Sequence, residues 1–156
     1  MRRNDREVTD LFELEQIIKS CSVCRLGLSQ NNIPYVVPLN FGYELSGGRL
    51  TLFFHSAKEG TKLDIIKGNP NVCFEMDCGH ELVAGKTACS CTMKYESVIG
   101  SGKIELVDDV QDRKYALSKI MEKYTGKMCS EFEEAVMNHV AVLKVNVSVF
   151  TGKRHV

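Results

Sequence analysis

Alternation of apolar and polar positions dominates this chain. Cys24, Leu26 and Leu28 alternate with polar or small residues, which predicts a strand over Val23–Ser29. Gln30-Asn31-Asn32 reads as a turn, and Ile33–Tyr43 as a long second strand, so the two form a hairpin. Leu50-Thr51-Leu52-Phe53-Phe54 has the aromatic and β-branched content of a buried third strand. Val72, Phe74 and Met76 alternate in a fourth, and Cys91–Leu106 forms a fifth. Val140–Val149 is the sixth, with Leu143, Val145, Val147 and Val149 facing one way.

Helical spacing appears between these runs. Asp10–Lys19 places Leu14, Ile17 and Ile18 on one face behind an Asp10/Glu13 capping box. Thr61–Lys67 spaces Leu63 and Ile66 as a short helix does, and Gly68-Asn69-Pro70 ends it. Asp108 or Asp109 caps a helix running to Tyr124, with Leu117, Ile120, Met121 and Tyr124 as its apolar stripe and Gly126 as its stop. Ser130-x-x-Glu133 opens a second short helix with Phe132, Ala135 and Val136 inside. Asp77–Cys89 mixes glycines, charges and small residues and reads as a loop with one short extended piece, where His80 is a solvated histidine. Six extended segments in hairpin-like succession, with helices inserted between some, indicate a small antiparallel barrel of the α+β class. There is no repeat, linker or low-complexity tract, so residues 1–156 are read as one domain.

Two strands carry unusual residues. On the second, Tyr35, Val37, Leu39, Phe41 and Tyr43 share one face, and Pro34, Val36, Pro38, Asn40 and Gly42 the other. Pro38 cannot donate to a ladder, so the stretch belongs at an edge, a bulge or a point where pairing stops. One reading is an edge strand protected by proline. The other is backbone freed for a ligand, with Gly42 leaving room and Asn40 placed to hydrogen-bond a polar ring. On the fifth strand, Gly100 and Gly102 predict strong coiling or close backbone approach.

Charge and cysteine content narrow the picture. Lysine plus arginine and aspartate plus glutamate each number 20, so no global field draws the protein to nucleic acid or an anionic membrane. The opening MRRNDREVTD has no apolar core, and no run reaches the ~20 apolar residues of a spanning helix, which predicts a soluble, cytoplasmic protein. Seven cysteines without an export signal point to reduced thiols. Cys21-x-x-Cys24 and Cys89-x-Cys91 could supply four sulfurs to zinc, but neither pair has tandem zinc spacing and Cys24 continues a core alternation, so no metal site is expected.

The third strand runs into His55-Ser56-Ala57-Lys58-Glu59-Gly60-Thr61-Lys62, a polar turn feeding a helix N-terminus. Such a terminus presents unpaired N–H groups and partial positive charge, and so favours anions. Ser56 and Thr61 add hydroxyls, Lys58 and Lys62 add charge, and Gly60 allows close backbone approach. The same residues also suit an ordinary strand-to-helix connection with two solvated lysines.

PYVVPLNFGYE (residues 34–44), LFFHSAKEGTKLDIIKGNP (52–70) and CTMKYESVIGSGKI (91–104) together resemble the flavin-binding split-barrel superfamily of pyridoxamine 5′-phosphate oxidase, in its nitroimidazole-resistance (Nim-type) branch. The opening MRRNDREVTD and closing TGKRH resemble that branch too, so the likeness covers essentially the whole chain. It implies a mostly antiparallel six-stranded split β-barrel with flanking short helices, binding FMN as a homodimer with each flavin at the subunit interface. By that resemblance Lys62 binds the phosphate beside Thr61 and Ser56, and Tyr35, Val36, Val37, Pro38, Leu39 and Asn40 line the ring. His55 sits beside the flavin, Tyr95, Ser97 and Val98 touch it from a later strand, and the basic tail could reach a flavin across the dimer.

The implied activity is reduction of a small electron-poor compound such as a nitroimidazole, with His55 as proton donor, since an imidazole titrates near neutrality. His55 reads equally as a histidine capping its turn. The chain lacks tryptophan and ends before the C-terminal arginine and tryptophan motifs of vitamin B6 oxidases, so that substrate is not implied. The alternative function is a non-catalytic flavin or haem binder, a carrier, sensor or scavenger. A thiol or zinc protein built on Cys21 and Cys24 is a third.

Overall fold

The computed structural model describes residues 3–129 and 131–155. A single turn of 3-10 helix (Asn4–Arg6) leads into β1 (Glu7–Val8) and α1 (Leu11–Ser20). Then come β2 (Cys24–Gln30), β3 (Ile33–Leu39), β4 (Phe41–Ser46), β5 (Arg49–Ala57) and α2 (Thr61–Gly68). After β6 (Asn71–Val83) and β7 (Thr92–Leu106), the chain forms α3 (Val110–Thr125), α4 (Glu134–Met137) and β8 (Val140–His155).

All eight strands join one antiparallel sheet, in the order β3-β2-β6-β7-β8-β5-β4 with β1 added on β8. The two ends of that order, β3 and β4, are separated in the chain by Asn40 alone. Leu39 and Phe41 can therefore be no more than about 7 Å apart, so the sheet must curl until its ends meet. That junction is the split of the barrel. Its interior holds Leu26, Phe41, Leu52, Phe54, Phe74, Met76, Val98, Leu143 and Val145, all buried. Leu14, Ile17 and Ile18 of α1 and Leu63, Ile65 and Ile66 of α2 join the same core. On the outside, Ala116 and Ile120 of α3 pack against Phe53 and Val142 in a second, smaller cluster.

The expected α+β barrel is present, with eight strands among the described residues where six segments were read. The long second segment divides at Asn40, because its inward alternation runs straight through the break between two ladders, from Leu39 to Phe41. The Asn31-Asn32 turn takes φ of 52° and 62°, closing the β2–β3 hairpin. Residues 77–83 extend β6 where a loop was expected, pairing with β7 through a bulge between Cys78 and Glu81. The sixth strand runs past Val149 to His155. A register shift against Ser101 and Gly102 turns Val149 outward, 58% exposed, instead of into line with Val147.

Gly42 has its own correction. A Cβ there would lie 2.5 Å from Ile120 N and Lys119 C, so its missing side chain admits the backbone of α3 and not a ligand. Gly100 does act by close approach, since a Cβ would meet the Phe74 ring at 2.5 Å. Asp109 caps α3 by accepting from Gln111 N at 2.8 Å and Asp112 N at 3.0 Å. The helix buries Ala116 and Ile120, while Met121 and Tyr124 are 40% and 42% exposed. In α4 Met137 turns inward, while Ala135 and Val136, expected inside, are exposed; Ser130, the expected cap, lies outside the described residues.

Candidate functional site

The end of β5 divides its two polar residues between faces. His55 leaves the sheet on the outer side with Phe53, and Ser56 on the side of Phe54. Ser56 Oγ donates to Ala57 O at 2.9 Å, so its proton is already used. The chain turns through Gly60, at φ 128° and ψ 163°, directly into α2. Only glycine adopts that conformation readily, and it leaves the helix without a side-chain cap. Leu63 N and Asp64 N bond to Gly60 O at 2.9 and 3.3 Å, and the amides of Thr61 and Lys62 stand before them in the first turn. Of the helix lysines, Lys67 pairs with Asp64 at 3.7 Å, while Lys62, half-buried, has no carboxylate partner among the described residues. An uncapped, cationic helix start of this kind is suited to an anion.

On β3, Tyr35, Val37 and Leu39 turn toward the core and are half-buried, whereas Val36 and Pro38 face outward and are exposed, as is Asn40 just beyond the strand. β3 is a sheet end, so its outer edge is unpaired. The backbone beyond it is less free than expected. Phe41 N donates to the Tyr124 hydroxyl at 3.1 Å, and that hydroxyl donates to Ser22 O at 2.7 Å.

The β7 residues differ in access. Val98 is 0% exposed with its side chain in the barrel core, while Tyr95 and Ser97 are half-buried. Tyr95 stands beside Lys153, whose Nζ lies 5.7 Å from its ring centroid, and the His155 ring is 6.2 Å away. Hydrogen bonds from Lys153 first and then Arg6 hold its phenol below the ordinary value. The basic tail is thus part of β8, and Arg154 is already engaged, by Glu13 at 2.8 Å and Glu96 at 2.5 Å.

His55 opens onto a groove that the sequence did not reveal. Leu117, Met121, Phe132, Val136 and Val140 line about 370 Å³ between β5, α3 and the segment before β8. Met121 and Val136 are exposed there because they wall this groove. A second groove, of about 410 Å³, is acidic, with Glu44, Glu105, Asp108, Asp109 and Asp112 around Lys144. Among the described residues, neither of these two grooves is lined by Lys62, Asn40 or Tyr95. Thr61 and Lys62 thus stand together at the helix start, while the ring-lining and β7 candidates belong to other elements and Val98 is enclosed in the barrel core. Among the described residues no group of three or more His, Cys, Asp or Glu side chains is arranged to hold a metal ion, and no helix is long and apolar enough to cross a membrane.

The chain was compared with known proteins. The family model described as pyridoxamine 5′-phosphate oxidase matches residues 10–154. A solved protein from Bacteroides thetaiotaomicron, provisionally assigned to 5-nitroimidazole antibiotic resistance, shares 36% identity at a TM-score of 0.81, over 95% of this chain and 86% of that one. A flavocytochrome from Azotobacter vinelandii superposes at a TM-score of 0.79 with 16% identity, covering 100% of this chain and 72% of that one. A FAD-binding protein from Mesorhizobium loti does so at 0.67 with 21% identity, over 97% and 98%. The last two show likeness of fold. No curated protein matches. By the extent of the family match and the identity to the Bacteroides protein, this chain belongs to the pyridoxamine 5′-phosphate oxidase-like split-barrel family.

Proposed function

We propose that this protein is a homodimeric FMN-binding oxidoreductase that reduces a small electron-poor compound, such as a nitroimidazole. The observation that carries the reading is the uncapped start of α2, where the first-turn amides, Thr61 and the half-buried Lys62 stand together. A phosphate fits this donor set: two backbone amides, the Thr61 hydroxyl and an ammonium are all donors to an anion. The likeness to the Bacteroides resistance protein supports the substrate class.

When bound, FMN would supply the electrons of the reduction. The chain would supply binding and proton handling. Lys62 and Thr61 would hold the phosphate, and the exposed Asn40 amide and the free edge of β3 are available to a polar ring. The groove beneath His55 is apolar and falls within the range of small-molecule pockets. His55 at its rim would hold the proton passed to a reduced substrate. The spread of candidates across one chain supports a site completed by a second copy. So does the outer sheet face, where Val36, Gly27, Cys73, Ser101 and Val149 stand in lateral register and Val36 and Val149 are 63% and 58% exposed.

Steady-state oxidation of a reduced nicotinamide with a nitro-aromatic acceptor tests the activity, on protein that has purified yellow. His55→Ala is expected to keep the flavin and lose about 10²-fold or more in turnover. A His55→Ala protein with full turnover would remove the proton-donor role, and flavin-loaded protein with no turnover would leave a binder instead of an enzyme.

A further inference from the structure

The groove beneath His55 has α3 as one wall and the segment leading into β8 as the other. Its floor is apolar, built from Leu117, Ile120 and Met121 of α3 and from Phe132 and Val136 opposite. That second wall is tied down. Arg113 of α3 donates to Val140 O at 3.1 Å and also to Met137 O, so one guanidinium holds both sides of the turn that follows α4. Such charge-assisted bonds to backbone carbonyls fix the wall against α3, and the groove stands preformed.

The charge around this groove is one-sided. Among the described residues, the ionisable side chains that line it are His55, Glu131 and Glu133. Both carboxylates are exposed, and Glu133, at the start of α4, makes no side-chain cap bond, so its oxygens are not committed to the helix. Lys114 shares a neighbouring groove with the same two carboxylates but does not line this one. Two negative charges and one positive one leave a net negative rim over an apolar floor, with the imidazole of His55 coming from β5.

We propose that this groove selects a cationic aromatic ligand, a flat ring that carries a protonated amine. The ring lies on the apolar floor, the ammonium points to Glu131 and Glu133, and the rest of the ring is presented to His55. The apolar lining supplies affinity, and the few polar groups fix orientation and choice. A floor of this kind does not tell a cation from a neutral isostere; the carboxylates do, by attracting an ammonium and repelling an acid. An ammonium substituent also withdraws electron density from its ring, which suits a compound that is to be reduced. The assignment narrows the substrate class of the reduction proposed above and rests on that reading for its chemistry, though not for its binding. Because Glu131 and Glu133 are exposed, the discrimination is moderate and sensitive to salt.

The test uses three probes that carry no nitro group: benzylamine, benzyl alcohol and benzoate, which share a ring and differ in charge. NMR titration of the full chain as purified, at pH 7 and low salt, should find benzylamine bound about 3–10-fold tighter than benzyl alcohol, with benzoate weakest. The Met121 methyl resonance should shift with each. Raising salt to about 0.5 M should compress the series. Glu131→Gln combined with Glu133→Gln should bring the three affinities together and leave that of benzyl alcohol unchanged, since both positions are exposed and the fold does not depend on them. Val136→Trp, at a position 59% exposed on the groove wall, should weaken all three. Equal affinities in the unaltered protein, a preference that survives the double variant, or probes indifferent to Val136→Trp would overturn the proposal. Flavin content and turnover are read separately: a colourless protein that still prefers benzylamine would remove the reductase reading and keep the cation site.

Discussion

At Gly42 an added methyl group has nowhere to go, because the backbone of residues 119 and 120 already occupies the space. Gly42→Ala should cost about 1–3 kcal/mol by forcing α3 away from β4, read as a lower denaturation midpoint at unchanged slope. A glycine of this kind announces a close approach but not its partner, since the partner lies nearly 80 positions further along the chain. Tyr124 is a similar case. Helical spacing assigned it to the core, yet its position is set by a hydroxyl that bridges Phe41 N and Ser22 O. Tyr124→Phe leaves that amide without its partner and should cost about 1–2 kcal/mol. The phosphate candidates were easier to recognise. Gly60, Thr61 and Lys62 are contiguous, and the physics of a helix start is local.

Among the elements, those that bury an alternating face were read nearly to their ends: β2 and the core of β5 carry large residues at every second position, and β7 buries Val98, Gly100, Gly102 and Ile104 in alternation. The outer half of β6 was not, because residues 79–83 are all exposed and pair only with another exposed stretch of β7. Without burial there is no alternation to see. The bulge in β8 is equally hidden, since Val149 has the side chain of a core residue and only the register sends it outward. That same pairing makes an acid-sensitive link. Asn146 first, and then Lys144, hold the Glu105 carboxyl below its ordinary value, with burial acting against them. A depressed carboxylate stabilises the fold above its unfolded value near 4.5 and loses that contribution as pH falls through the folded value. Melting curves of Glu105→Gln should therefore lie beneath those of the unaltered protein at pH 7 and converge with them as pH falls through the folded value of Glu105.

For the whole molecule, the closing of the barrel follows from one residue, Asn40, joining the two ends of the sheet. A subunit interface is harder to read, because an exposed Val36 or Val149 has no signature that distinguishes one from bare surface. If the outer sheet face is that interface, Val149→Lys should sediment as a monomer and lose flavin, while its effect on the folded monomer stays within about 0.5 kcal/mol. A Val149→Lys dimer with bound flavin would place the contact elsewhere.

The central claim is that the start of α2 grips the phosphate of a flavin, and flavin content per chain of Lys62→Glu measures it most directly. Reversing the charge removes an ammonium contact and sets a carboxylate against the anion, so the dissociation constant for FMN should rise about 100-fold or more at an unchanged melting temperature of the flavin-free protein. A Lys62→Glu protein that purifies with one flavin per chain would contradict the account.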